Sequence, residues 1–266
     1  MKIDKGDIFF FLAVGEDPTP RARAAYSFYT KAYGQPTLEA AKVLCGLGGD
    51  GTQIRGIHAY GSANKPFFSL NYGTSGYLMN EVNETLDLCR RIERAVPLTL
   101  SQLCVEATSA NGEVKKAFSV NDVFVCNQNR SQTVKLGLSV DGELRVPCLS
   151  SDGLLIATAV GSTGYTKNVG GPVIALTDDY LVLTADAPDE ASKFHSAVIP
   201  PAIIDIEVLT PAYRPSDVYN DQGLVMVSAV HARIFQDKTR TYTLLHDKGL
   251  SLKEKNLRVQ FGQNLT

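Results

Sequence analysis

The segment Leu44-Cys45-Gly46-Leu47-Gly48-Gly49-Asp50-Gly51-Thr52 constrains this chain more than any other. It places one carboxylate among four glycines, directly after a short apolar run that ends at Cys45. Glycines let a backbone turn tightly and approach a ligand with no side chain in the way. Successive N–H groups in such a turn form a nest for phosphate oxygens. A carboxylate there repels a phosphate unless it holds a metal ion or takes a proton from an attacking hydroxyl. The segment thus points to phosphoryl transfer. The bland alternative is a glycine-rich turn in which Asp50 caps the next helix by accepting from its first N–H groups. Gly46, Gly48 and Gly51 also spell G-x-G-x-x-G. A dinucleotide site of that type needs an acidic residue about twenty positions on. Lys65 to Asn80 contains none, and Asn71 stands in its place, which weakens a hydride-transfer reading.

Composition narrows the class. The chain has 266 residues, 44 % of them hydrophobic, and a formal net charge of −2, so charge gives no case for nucleic-acid binding. Arg90, Arg91 and Arg94 read as the wet face of a helix. The five cysteines, Cys45, Cys89, Cys104, Cys126 and Cys148, are odd in number, widely spaced and without C-x-x-C. They fit buried free thiols in a reducing, cytoplasmic setting. The amino-terminal apolar run, Ile8 to Val14, is too short to span a bilayer and reads as a buried strand. No membrane partner is expected.

Strands alternate with helices through the first part: strand 8–14, helix 21–33 entered through Asp17-Pro18-Thr19-Pro20, strand 42–45, helix 52–60, strand 67–70 and helix 84–95. Proline suits the first turn of a helix because its missing N–H has no partner there. This alternation predicts an α/β domain with a Rossmann-like parallel sheet over 1–97. From 98 to 244 the pattern is short strands with turn signals, predicting an all-β domain. Ser109-Ala110-Asn111-Gly112 and Asp141-Gly142 are its hairpin turns. Strands are expected at 181–184, 203–209 and 224–230, with the last residues, from about 245 to 266, rejoining the first domain.

Three further segments carry candidate chemistry. Ser69-Leu70-Asn71-Tyr72-Gly73-Thr74-Ser75-Gly76-Tyr77-Leu78 follows a strand, where ligands collect at the carboxyl ends of parallel strands. It also reads as a plain strand-to-helix turn. Asn121-Asp122 enters the apolar strand Val123 to Val125 and either reads a nucleotide edge or starts a turn for local reasons. The longest, Ser151-Asp152-Gly153 through Gly161-Ser162-Thr163-Gly164-Tyr165 to Gly170-Gly171-Pro172, runs an apolar strand into small hydroxyl residues and glycines. Small residues leave room for a bulky ligand, and hydroxyls bond its polar edges. No glycine-lysine pair makes it a Walker A loop.

Together and in this order, the four segments resemble the NAD kinase family. The first is similar to its G-G-D-G-T signature, the second to N-x-G-x-x-G-[FY]-L, Asn121-Asp122 to Asn-Glu, and Asp152 to Pro172 to its D-G-L…G-S-T-A-Y…G-G-P stretch. G-G-D-G-T alone is shared with diacylglycerol kinase-like and phosphofructokinase-like enzymes; the fourth segment separates this chain from them. The resemblance implies an NAD kinase-like two-domain architecture with the active site between the domains. It implies phosphorylation of the adenosine 2′-hydroxyl of NAD by ATP with Mg²⁺, or by polyphosphate in some members; as the sequence shows no metal-ligand spacing, the Mg²⁺ is expected to arrive with the nucleotide, held mainly by its phosphates. It further implies a cytoplasmic homodimer or homotetramer. Asp50 would be the general base. Gly51, Thr52 and Arg55 would hold phosphate oxygens, and Asn121, Asp122 and Asp152 would bond the nucleotide. Thr163, Gly164 and Tyr165 would line the adenine pocket with Tyr77 nearby, and Gln222 and Ala187 are later contacts.

Some positions depart from the pattern. Ala159 replaces a proline, Gly164 an alanine and Asp122 a glutamate; Ser150 stands where a basic residue is frequent, and Ala185 to Glu190 is unusually acidic. The departures at Asp122, Ser150 and Gly164 motivate the alternative of a catalytically weak or inactive NAD(P)-binding homologue. A lipid kinase with the same glycine signature would leave the fourth segment unexplained. His58, His195, His231 and His246 are dispersed, with no metal-ligand spacing.

Overall fold

The computed structural model describes residues 2–15, 17–74, 76–83, 85–129 and 131–263. Ser75 of the second glycine segment and Glu84, the expected start of a helix, lie outside them. The chain forms two compact units, Met1–Leu100 with Thr241–Thr266, and Ser101–Arg240.

The first unit contains β1 (Ile8–Phe11), α1 (Pro20–Tyr33), β2 (Val43–Gly48), α2 (Asp50–Tyr60), β3 (Leu70–Asn71), α3 (Leu88–Arg94), the start of β4 (Val96–Ser109), the end of β14 (Gly223–His246) and α5 (Leu252–Gln260). Its sheet runs β1-β2-β3, all parallel, with Ile8 opposite Val43 and Leu47 opposite Leu70. Every residue of β2 is buried. That explains its unbroken small and apolar sequence, since a parallel strand is covered on both faces. Phe67 bridges Leu44 on one side and Leu244 on the other, so the end of β14 extends the sheet. α1 begins as its sequence implies, with Pro20 at its start and the Thr19 hydroxyl accepting from the Ala22 N–H at 3.2 Å.

Three expectations change here. β2 continues through Gly46 and Gly48, where a turn was expected, and none of Gly46, Gly48, Gly49 or Gly51 takes a positive φ. α3 starts at Leu88, because Asp87 accepts from the Arg90 N–H and fixes the helix start there. Arg91 is no wet-face residue: it is 7 % exposed, bonds Asp247 through Nε (3.1 Å) and Nη2 (2.6 Å), and also donates to the Glu81 carbonyl. A buried guanidinium is tolerable when paired and hydrogen-bonded in this way.

The second unit is built of strands: the remainder of β4, then β5 (Val114–Ser119), β6 (Asp122–Asn127), β7 (Val134–Val140), β8 (Glu143–Ser151), β9 (Gly153–Ala157), β10 (Leu181–Asp186), β11 (Ser196–Ile199), β12 (Ile204–Val208), β13 (Ser216–Asn220) and most of β14. The short α4 (Tyr165–Asn168) interrupts them. The sheet order is β11-β10-β9-β6-β13-β14-β12-β7-β8, with β4 pairing β14 and β5. The β7–β8 hairpin turns at Asp141 (φ 50°) and Gly142 (φ 79°), the two positive φ values of a type I′ turn. Leu136, Val125, Ile156, Leu183 and Ile206 meet in the core.

Cys45, Cys89 and Cys104 are buried thiols as expected, and Cys126 is partly covered. Cys148 is exposed, because β8 ends the sheet and one of its faces stays open. Among the described residues, no helix is long and apolar enough to cross a membrane.

Candidate active site

In the first unit, Asp50 opens α2 but does not cap it; Gly49 is the cap residue. Its carboxylate reaches across to the second glycine segment. Oδ1 accepts from the Leu78 N–H at 2.8 Å and Oδ2 from the Tyr77 N–H at 3.1 Å. That choice separates the two readings of the glycine segment, because a capping aspartate would accept from its own helix. The two glycine segments meet backbone to backbone: a Cβ on Gly73 would lie 2.8 Å from the Gly49 Cα. Close approach, not left-handed geometry, is the reason for glycine at this crossing. The Thr52 N–H bonds the Gly49 carbonyl at 2.9 Å, which leaves the Asp50 and Gly51 amides in the first turn, ahead of the helix ladder. Arg55 folds back along α2, its Nη2 3.1 Å from where a Cβ on Gly51 would be. Tyr77 is under cover, 2 % exposed, and its hydroxyl accepts from Asn256 Nδ2 at 3.2 Å. Its backbone, not its ring, is what serves Asp50.

In the second unit, the third and fourth segments interlock. A Cβ on Gly161 would sit 2.2 Å from the Asn121 carbonyl oxygen, which also accepts from the Thr158 N–H at 2.8 Å. Asp221 receives the Val120 and Asn121 N–H groups at 2.7 and 2.9 Å, so it anchors the segment that carries Asn121. The Asn121 Oδ1 is buried with no hydrogen-bond partner among the described residues. An orphaned acceptor there suits a ligand's donor. Beside it, Asp122 has its pKa raised to about 7 by burial and, second, by the Asp221 charge. A methyl on Gly164 would meet only ordinary contacts, at 3.4 and 3.8 Å.

A second group forms around the β9–β10 end. The Asp152 N–H bonds the Asp186 carbonyl at 2.8 Å, and the Tyr165 hydroxyl bonds Asp186 Oδ2 at 3.2 Å. The Tyr165 ring is 45 % exposed and packs edge-on against Phe124. Ala187 takes φ 42°, a left-handed conformation rare for alanine and frequent where a backbone is shaped for a ligand. Thr163 bonds the Val160 carbonyl at 2.9 Å, and exposed Gln222 sits in the β13–β14 turn, its N–H on Asn220. The unusual acidity near Asp189 also finds a partner. Asp189 accepts the Ser150 hydroxyl, so two departures from the family pattern form one pair.

Residues far along the chain complete the Asp50 loop and escape sequence reasoning. Asn80, buried, donates to the Leu245 carbonyl and accepts from the Asp247 N–H, both at 2.8 Å. Lys255 Nζ donates to the Gly76 and Met79 carbonyls at 2.6 and 2.5 Å. Nothing local distinguishes either residue from an ordinary surface asparagine or lysine.

Residues 120–218 match the family model of the ATP-NAD kinase C-terminal domain. An NAD kinase of Zymomonas mobilis is 36 % identical over 247 residues, spanning 92 % of this chain and 95 % of that one. The chain belongs to the NAD kinase family. Solved structures carry the same fold. A yeast NADH kinase complexed with NADH has a TM-score of 0.78 at 17 % identity and covers 97 % of this chain and 88 % of that one. An NAD kinase from Archaeoglobus fulgidus in complex with ATP has a TM-score of 0.68 at 20 % identity and covers 96 % and 97 %. The family's two parts, a parallel sheet with helices and an antiparallel β region, are those described above.

Proposed function

We propose that this family member transfers the terminal phosphoryl group of ATP to the adenosine 2′-hydroxyl of NAD, with Asp50 as the general base. The observation that carries the reading is the Asp50 carboxylate, set by one backbone N–H on each oxygen. Each oxygen keeps a second lone pair for the substrate hydroxyl. As the hydroxyl oxygen bonds phosphorus, its proton passes to Asp50, and the bond to the departing ADP breaks with its electron pair on ADP. Positioning and charge neutralisation supply the rest.

From the first unit, the Gly51 amide at the start of α2, the Thr52 side chain and the Arg55 guanidinium would hold phosphate oxygens, with Tyr77 supporting Asp50. From the second, Asn121, Asp122 and Asp152 would bond the nucleotide, with Thr163, Gly164, Tyr165, Ala187 and Gln222 around it. Mg²⁺ would arrive on the nucleotide phosphates, which supply its oxygen ligands. The ion would neutralise phosphate charge when bound. The buried thiols support a cytoplasmic enzyme, and a homodimer or homotetramer follows the family pattern.

The test is direct. Purified protein is incubated with NAD, Mg²⁺ and either ATP or polyphosphate, and NADP is measured. NADP with ATP supports the reading; NADP with polyphosphate alone transfers it to that donor. Nucleotide binding without NADP from either donor overturns it in favour of a binding homologue.

A further inference from the structure

The Asp50 carboxylate is oriented through a peptide group that is gripped from both ends. The N–H of the Gly76–Tyr77 peptide donates to Asp50 Oδ2 at 3.1 Å. The carbonyl of that same peptide accepts from Lys255 Nζ at 2.6 Å. A peptide is planar, so its two polar ends turn together. If the carbonyl swings away from Lys255, the N–H leaves Asp50; a full flip aims a carbonyl oxygen at the carboxylate. Lys255 also takes the Met79 carbonyl at 2.5 Å, next to Leu78, whose N–H holds Oδ1.

We propose that Lys255, on the C-terminal helix α5, is a positioning residue for the general base. Its ammonium fixes and polarises the Gly76–Tyr77 peptide, which aims Oδ2 of the Asp50 carboxylate, and ties down the loop beside Leu78 through the Met79 carbonyl. Hydrogen bonds arranged in a chain strengthen one another, more so where water is excluded. Lys255 is 6 % exposed and uses two of its three donors on this loop. Burial pulls its pKa below the ordinary lysine value, while the charges of Asp50, Glu81 and Asp247 act the other way. Asn256, the next residue of α5, bonds the Tyr77 hydroxyl, so the helix holds this loop by two side chains. The inference rests on Asp50 being the base.

The experiment is a double-mutant cycle on the full chain, with kcat and KM for NAD and ATP measured. Lys255→Met keeps the apolar stem and removes the ammonium. The expected result is a kcat lower by about tenfold to 10²-fold, the scale of a misaligned reacting group, with both KM values little changed. Lys255→Arg restores most of the rate. Lys248→Met, which removes an exposed charge nearby, leaves it unchanged. In an Asp50→Asn background, Lys255→Met adds no further loss, because the group it positions is gone.

A folded Lys255→Met variant with unchanged kcat overturns the proposal, as does an equal loss in the Asp50→Asn background. Full activity of Asp50→Asn alone removes the base reading itself, a separate result. If Lys255→Met does not fold, Lys255→Gln, which keeps a donor, takes its place. Failure of both to fold makes Lys255 a folding residue and overturns the assignment.

Discussion

Asp50 in the first unit and Asp122 in the second meet different surroundings. Asp50 receives two backbone N–H groups from a loop pinned by α5. Asp122 meets burial and the like charge of Asp221, which together raise its pKa to about 7. Hydrogen-bond donors stabilise a carboxylate's charged form, whereas burial and a like charge oppose it. The first arrangement suits a group that is held in one orientation to receive a proton. The second suits a group that can either donate or accept a hydrogen bond near neutral pH, which is the work of a ligand contact. The two aspartates teach that a unit's role lies in what surrounds its acids, not in how many it has.

The sharpest way to break this comparison is steady-state kinetics on the two amide variants. Asp50→Asn should lower kcat by about 10²–10⁴-fold, the usual worth of a general base. Asp122→Asn should act mainly on nucleotide KM, by roughly tenfold, the scale of one hydrogen bond to a charged group. Equal kcat losses in both would erase the distinction.

The glycine crossings come next. Gly161→Ala and Gly73→Ala each push a methyl into backbone, at 2.2 Å from the Asn121 oxygen and 2.8 Å from the Gly49 Cα. Each should cost about 1–3 kcal/mol, with Gly161→Ala the larger, read by denaturant unfolding. An unchanged midpoint for Gly161→Ala would show that the third and fourth segments do not interlock.

The pH dependence of stability sharpens the contrast further. The Asp122 pKa is raised on folding, from an ordinary 3.8 to about 7. Its contribution is therefore fully present below the unfolded value and is lost as pH rises through the folded one. Asp122→Asn should raise the Tm at about pH 8.5 and change it little at about pH 4. The same Tm difference at both would remove burial as the cause.

The smallest effect is expected at His246 in the first unit, which is buried with neither ring nitrogen hydrogen-bonded among the described residues. Burial, and then the charge of Lys255, lower its pKa from 6.5 to about 4. Its contribution is present above the unfolded value and is lost as pH falls through the folded one. Replacing His246 with leucine should soften the loss of stability between those two values. A thermal melt series over that range, identical to wild type, would contradict this.

Local chemistry made much of this legible in the sequence. Thr19-Pro20 starts a helix, Asp141-Gly142 turns a hairpin, and the four glycine and hydroxyl segments mark where the candidate residues stand. The glycine run was harder to read. It resembles a turn, yet Gly46 and Gly48 lie inside a strand, where neighbouring side chains leave no room for a Cβ. Arg91 looked like a surface residue because its partner, Asp247, is 156 positions away. Lys255 is 179 positions from Gly76 and has no motif around it. Such pairings depend on the chain's return at Phe67 and Leu244, which no local pattern encodes.

The most direct test of the account is the rate of the chemical step itself. A single-turnover experiment, with NAD and ATP bound before mixing with Mg²⁺, compares wild type with Asp50→Asn by rapid quench. A slowing of phosphoryl transfer by about 10²-fold or more, with nucleotide affinity retained, is the predicted result. A transfer rate equal to wild type would show that the proton leaves by another route and that Asp50 is not the base.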